Sequence, residues 1–309
     1  MEQLLMTLQI VVPIFTAVGL GIIAKKRKMM TSEQIFGLQQ FVVQFGIPCV
    51  LFNSCFTASI NAESIASMLL VIPLLLISSL WSFTFGKKVF PYHNFPILFS
   101  AQETGMLGIP LYMTLFGAAE AFRIGMLDLA QAVIAIPVIA ILAANTEATL
   151  SIEEIAGKVF RSPLLIVSLL GLILNLSGAA SMLDSIGIKA IILETVSFIS
   201  QPVSATMLFC VGYNFSISKG NQKTITKIAL IHFSVFACFG LIMQAILFFI
   251  GNVNILTRYA VFLYSILPAS YLSPSFGRSE EEYVISSGVC SLLTVLTLII
   301  FCGLTLFVS

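Results

Sequence analysis

The chain carries fourteen acidic side chains, and only Glu103 lies close to the midpoint of an apolar stretch. Asp128 and Glu194 fall nearer the outer ends of theirs, and the other acids sit in the gaps between stretches. No Lys or Arg lies at the depth of Glu103 in any stretch. A charged carboxylate buried that deeply in hydrocarbon costs about 3 kcal/mol on insertion scales. Three chemical roles could justify it. A protonated Glu103 can donate a hydrogen bond to an anion. A Glu103 that takes up and releases a proton can couple a working cycle to a proton gradient. A charged Glu103 can pair with a cation such as sodium or an amine. A fourth role is purely structural, an acid satisfied by neighbouring backbone groups.

The residues after Glu103 determine what it can meet. Thr104, Gly105, Gly108 and Pro110 interrupt the stretch 95–116 near its centre, and Pro268 and Pro274 interrupt 257–276. Broken backbone in hydrocarbon is tolerated where it lines a cavity or lies within protein. Pro110 and Pro268 suit the first position of a half-helix, where no amide hydrogen is needed. Freed amides and the positive end of the helix dipole then face the midplane, a ready place for a small anion. The reading that competes is a pair of plain kinks. The site expected from these breaks joins Glu103, Thr104, Gly105, Gly108 and Pro110 to Pro268, Ala269 and Ser270. Gln44, Asn53, Gln201 and Ser204 are further polar candidates for its wall, although each alone is more often a helix-to-helix hydrogen bond. Gln131 and Asn175 are weaker candidates.

These residues need elements to hold them. The composition is 58% hydrophobic and 9% charged, against roughly 25% charged in a soluble domain. So few charges cannot cover a water-exposed globule, which excludes a soluble enzyme, a disordered chain and a nucleic-acid binder. The net charge of +1 adds nothing toward a polyanion partner. A spanning helix takes about 20 apolar residues. Ten apolar stretches meet or approach that length, at 5–24, 34–56, 64–85, 95–116, 124–144, 163–178, 190–213, 224–250, 257–276 and 284–308. Twelve of the fifteen Lys and Arg fall in alternate gaps, beginning with Lys25, Lys26, Arg27 and Lys28. Arg123, Lys189 and Arg258 are the exceptions. Positive residues stay cytoplasmic, so both termini are expected on the non-cytoplasmic side of a cell membrane, with ten spans between them. The first stretch lacks a basic region ahead of it and reads as a span rather than a cleaved signal. The six Cys all fall in apolar stretches without metal or CxxC spacing and read as small buried hydrophobes.

The two halves echo one another. Pro13 and Pro163, Pro48 and Pro202, and Pro110 and Pro268 lie 150, 154 and 158 residues apart. Gly21 follows the first Pro as Gly171 follows the second. Five spans per half is an odd number, so a repeat would be inverted. The division expected is 1–145 as the first five-helix repeat, 146–162 as a cytoplasmic linker and 163–309 as the second repeat. Ser151-Ile-Glu-Glu154 reads as a capping box that opens a short helix in the linker.

The run Glu103-Thr-Gly-Met-Leu-Gly-Ile-Pro110-Leu with Phe116-Gly117, together with Leu267-Pro-Ala269, Pro48, Pro202, Phe209 and Gly212, resembles the auxin efflux carrier family. Bacterial members of that family include malonate and malate carriers. The resemblance implies an all-α membrane protein of ten transmembrane helices in two inverted five-helix repeats. Helices 4 and 9 would be broken and cross, helices 1, 2, 6 and 7 would form a scaffold, and helices 3–5 and 8–10 a transport part. It implies a secondary transporter for a small organic anion, working by alternating access as a homodimer. The family pattern has Asn where this chain has Glu103. An Asn can donate to a carboxylate, whereas an ionised Glu only accepts. Proton coupling through Glu103 is therefore expected, and a cation, amine or sodium-coupled carrier is the alternative. Neither a cofactor nor a nucleic-acid partner is expected. No nucleotide-binding loop and no recognisable catalytic pair appears, so neither an ATP-driven pump nor an intramembrane enzyme is expected.

Overall fold

A computed structural model describes residues 2–58, 62–144, 163–215 and 221–308. The linker 146–162, with its expected capping box, lies outside the described residues. Among the described residues, six helical stretches are long and apolar enough to cross a membrane: Leu8–Lys26, Ser32–Thr57, Ile65–Val89, Ile188–Asn214, Gln222–Ile250 and Glu280–Leu306. Their outer surface is greasy. Phe198 and Phe249 are 76% and 85% exposed, which is costly in water and natural in lipid.

Helix α1 is Glu2–Lys26 and ends in the basic cluster. Thr31 then caps α2, Ser32–Phe41, in a reciprocal capping box with Gln34. A π-helical turn, Val42–Gly46, carries α2 into α3, Ile47–Thr57. Pro48 explains the turn, since Pro has no amide hydrogen and its ring crowds the preceding turn. The same tripeptide, Gly-Ile-Pro, follows the π-helical turn Thr104–Gly108 and opens α6, Ile109–Phe116. Between them lie α4, Ala62–Trp81, and the short α5, Lys87–Val89. Beyond α6 run α7, Phe122–Ala144, and α8, Pro163–Leu176. Three further pieces follow: α9, Ala179–Ser185, α10, Ile188–Ser200, and α11, Val203–Asn214. The chain closes with α12, Gln222–Ile250, α13, Ile255–Ile266, and α14, Glu280–Val308.

Two groups of helices form. In the first, α1 packs on α11 and α3 packs on α8 and α10. Glycine sets both close approaches. A Cβ on Gly21 would come within 2.0 Å of the Phe209 carbonyl oxygen, and one on Gly171 within 2.9 Å of the Phe52 carbonyl oxygen. In the second group α4 packs on α7, and α12 packs on both α13 and α14. His232 of α12 is buried there between the rings of Phe99 and Phe236. All six cysteines are free; Cys55, Cys210 and Cys290 are buried as expected, but Cys238 is exposed on the outer face of α12.

Among the described residues, two of the ten stretches give up their helix to an extended segment. The stretch 95–116 begins as a 3-10 turn, Phe95–Phe99, runs extended, and resumes as a helix at Thr104. The stretch 257–276 ends its helix at Ile266, runs extended, and resumes as a 3-10 turn, Ser273–Phe276. Pro110 does sit in the first turn of α6, but helical backbone starts six residues earlier at Thr104. Pro268 starts no helix and belongs to the extended segment; Pro274 opens the next helical turn instead. The reason is the backbone: Pro268 supplies a carbonyl rather than a missing amide, as follows.

Candidate functional site

The two extended segments cross antiparallel. Gln102 and Ala269 form an isolated bridge. The Glu103 amide donates to the Pro268 carbonyl at 2.8 Å, and the Ser270 amide to the Ala101 carbonyl at 3.0 Å. A crossing of this kind satisfies backbone groups that hydrocarbon cannot. The helix ends beside it are satisfied by two consecutive side chains. Glu103 caps the helix that starts at Thr104: its Oε1 accepts from the Met106 amide at 3.3 Å, and its Oε2 from the Tyr271 amide at 2.6 Å. One carboxylate thus holds both arms. Gln102, with its amide nitrogen turned inward, donates to the carbonyls of Leu267 at 3.0 Å and Pro268 at 2.9 Å. The acid sits at the positive end of one dipole and the amide donor at the negative end of the other, each where its charge is favoured. Thr297 donates to the Ile266 carbonyl and completes that end.

Behind the crossing stands a polar network on α7. Gln131 Oε1 accepts from the Gln102 amide at 2.9 Å and from the Tyr264 hydroxyl at 3.0 Å. Gln131 Nε2 faces the Gln102 carbonyl at 3.1 Å, Thr104 Oγ1 at 3.2 Å and Asp128 Oδ1 at 2.7 Å. Two amide hydrogens serve three acceptors, so the network can settle in more than one arrangement.

A cavity of about 960 Å³ reaches the crossing. Its deep end holds Glu103, Gly105, Asp128, Gln131 and Ser270, and its mouth holds Lys25 and Ser32. The Lys25 ammonium donates to the Phe215 carbonyl at 2.9 Å, so it stays at the mouth. Leu107, Leu111, Ile124, Leu263 and Leu267, none of them in the cavity's lining, are at most 1% exposed and form an apolar plug of packed core side chains. The cavity wall combines both helix groups, with Gln39 and Ile47 from one and Asp128, Cys290 and Thr294 from the other.

Of the residues expected at the site, Glu103, Gly105 and Ser270 line the cavity. Thr104 is fully buried and bonded to Gln131, while Pro268 and Ala269 contribute backbone to the crossing. Gly108 is a packing position, since a Cβ there would come within 2.7 Å of Leu267. Pro110 is buried, and its carbonyl accepts from Thr114 at 2.8 Å. The structure does not bring Gln44, Asn53, Gln201 or Ser204 into the lining. Gln44 is exposed and bonds Gln40 at 2.7 Å, Gln201 is exposed, and Ser204 reaches only the Pro110 carbonyl at 3.5 Å. Asn53 lies on α3 outside the lining. Asn175 is a packing residue whose side chain donates to the carbonyls of Cys55 and Ala58. Sequence reading missed the weight of Asp128, Gln102, Tyr264 and Tyr271. Asp128 and Gln131, one turn apart on α7, carried a usable signal: two polar groups that share a helix face.

A multi-pass helical membrane protein with a crossing of two broken helices over a polar cavity is the class defined so far. The family model for membrane transport proteins matches residues 6–302. The chain belongs to that family, the one its motifs resemble, and is a membrane transporter. No curated protein matches it significantly.

Proposed function

We propose that this chain is a secondary active transporter that carries a small organic carboxylate together with a cation, in the simplest case a proton, by alternating access. The observation that carries this reading is the cavity's charge. Two carboxylates, Glu103 and Asp128, line its deep end, and its single Lys stays at the mouth. Helix termini supply only about half a charge. A carboxylate entering such a place needs accompanying positive charge, which favours monocarboxylates and partly protonated dicarboxylates over trivalent anions.

The architecture we infer is ten spans in two inverted repeats, with both termini on the non-cytoplasmic side and α1, α2, α3, α8, α10 and α11 in the scaffold of a homodimer. The Gly21–Phe209 and Gly171–Phe52 contacts support the repeat: Gly171 lies 150 residues after Gly21, the same offset as Pro163 after Pro13. With Lys25 facing the cytoplasm, the cavity is the inward-facing one.

One observation favours a second reading, a carrier of amines or of sodium. One Glu103 oxygen already accepts the Met106 amide at the start of the half-helix that leads into α6, and the other accepts the Tyr271 amide of the opposite arm. The chain's own carboxylate thus fills the place where an anion would dock. Counterflow in proteoliposomes separates the readings, with malonate and an alkylammonium as probes. The first expects malonate counterflow that quickens as pH falls, because protons neutralise the acids before the anion enters. Alkylammonium counterflow without malonate counterflow would establish the second. A protein that exchanges neither probe in either direction would refute both.

A further inference from the structure

Three bases lie on the side of the bundle opposite Lys25 in the expected topology, and two of them have acidic partners. Arg123 Nε is 2.7 Å from Glu120 and its Nη1 2.7 Å from the Thr257 hydroxyl, and Lys189 is 3.9 Å from Asp184. Arg258 has no carboxylate in reach among the described residues. Its guanidinium makes one long bond, 3.5 Å, to the Leu247 carbonyl and lies 5.9 Å from the centre of the Phe248 ring. Most of its five fixed donors remain open. Yet it is half-buried, and it lines a second cavity of about 560 Å³ between α12, α13 and α14.

That cavity is otherwise built of Gln244, Ile255, Tyr259, Phe262, Ile300 and Gly303, with Leu304. Gln244 is already engaged, donating to the Arg258 carbonyl at 2.7 Å. Gly303 keeps the groove open, since a Cβ there would meet nothing within 4 Å. The adjoining end of α12 is Phe248, Phe249 and Ile250, exposed by 68%, 85% and 52%. Such a surface belongs against lipid tails. The groove therefore combines an apolar slot, open toward the acyl region, with one cation at the end of a helix. Arg binds phosphate oxygens with paired donors, and basic pockets between spanning helices hold anionic headgroups.

We propose that this groove is a binding site for an anionic phospholipid, with its phosphate on Arg258 and an acyl chain along Ile255, Phe262, Ile300 and Gly303. An uncompensated guanidinium beside an apolar slot is the charge complement of that molecule. A free anion would gain nothing from the slot, and a zwitterionic lipid would bring its own cation against Arg258.

The test uses the full-length chain purified from vesicles of equal parts phosphatidylglycerol and phosphatidylcholine. Native mass spectrometry should find phosphatidylglycerol retained over phosphatidylcholine. Adding phosphatidylglycerol in detergent should raise Tm saturably, by roughly 5 °C at saturation. Arg258→Gln should weaken retention about tenfold or more, the loss expected for a charge-assisted hydrogen bond. Gly303→Leu, which keeps the charge and fills the slot, should weaken it too. Equal retention of the two lipids would overturn the proposal, as would an equal Tm rise from inorganic phosphate alone. So would a second copy of the chain in place of lipid, or unchanged retention in both variants. Transport need not be measured, so failure here leaves the carrier reading untouched.

Discussion

At the residue scale, Glu103 is first a structural clamp. Its two oxygens serve two backbone amides from different arms of the crossing. Glu103→Gln keeps the size but offers one acceptor oxygen, and it sets an NH2 group against an N–H. We expect a loss of about 1–3 kcal/mol for the amide left unsatisfied, read as a lower Tm in detergent. A change in transport by this variant would therefore mix altered chemistry with a loosened crossing. Asp128→Asn separates them. Asp128 accepts from Gln131 at 2.7 Å and holds no backbone of the crossing in place. This variant should fold with near-normal Tm and flatten the pH dependence of counterflow; an unchanged pH profile would remove Asp128 from the coupling step. Tyr264→Phe should cost about 1 kcal/mol through the lost bond to Gln131. Glu103 was legible because it stands alone among apolar neighbours. Asp128 was not, because its depth depends on where α7 begins, and that helix starts at Phe122 beneath a short turn, Ala118–Glu120.

At the scale of elements, the close approaches are set where a side chain would strike backbone. A Cβ on Gly212 would lie 2.0 Å from the Val18 carbonyl oxygen, whereas one on Gly19 would meet nothing within 4 Å. Gly212→Ala should therefore push α1 from α11 and destabilise by about 1–3 kcal/mol, the usual range for overpacking. Gly19→Ala should stay within about 0.5 kcal/mol, as surface changes do. Thermal melts of the two variants side by side check the pair, and equal shifts would contradict the packing. The long apolar rods were readable from hydropathy because length alone decides whether a stretch can span. The breaks were readable from Gly and Pro, but not their register. Pro268 is extended because the crossing takes its carbonyl, a tertiary demand that no local propensity announces. Which face of a rod meets the cavity was equally hidden. A helix apolar all round has no polar stripe to point with, so sequence reading favoured Gln44 and Gln201 and passed over Gln39 and Gln40, yet it is the latter two that line the cavity.

At the scale of the molecule, the question is what holds one side shut. On the closed side the two helix groups are tied by the Ser54 hydroxyl of α3, which donates to the Ala119 carbonyl at 2.9 Å and accepts from the Phe122 amide. On the open side their polar link is weak, a Gln39 to Met106 sulfur contact at 3.9 Å. Apart from the long Ser204 bond to the Pro110 carbonyl at 3.5 Å, the rest of the interface among the described residues is apolar and can slide, so Ser54 is the closed side's directional tie. Removing it with Ser54→Ala leaves the buried Phe122 amide without its partner, at about 1–3 kcal/mol. That cost falls on this conformation alone if the opposite one already separates these groups. A shift of 1.4 kcal/mol changes the ratio of two conformations tenfold. The readout is an impermeant thiol reagent acting on Ser291→Cys, placed in the cavity wall after the native cysteines are replaced. With Ser54 intact, labelling should proceed from the Lys25 side. With Ser54→Ala, labelling from that side should slow and labelling from the other side should appear. Equal labelling from both sides with Ser54 intact would mean that the leucine plug is no barrier, and the alternating-access reading would fail.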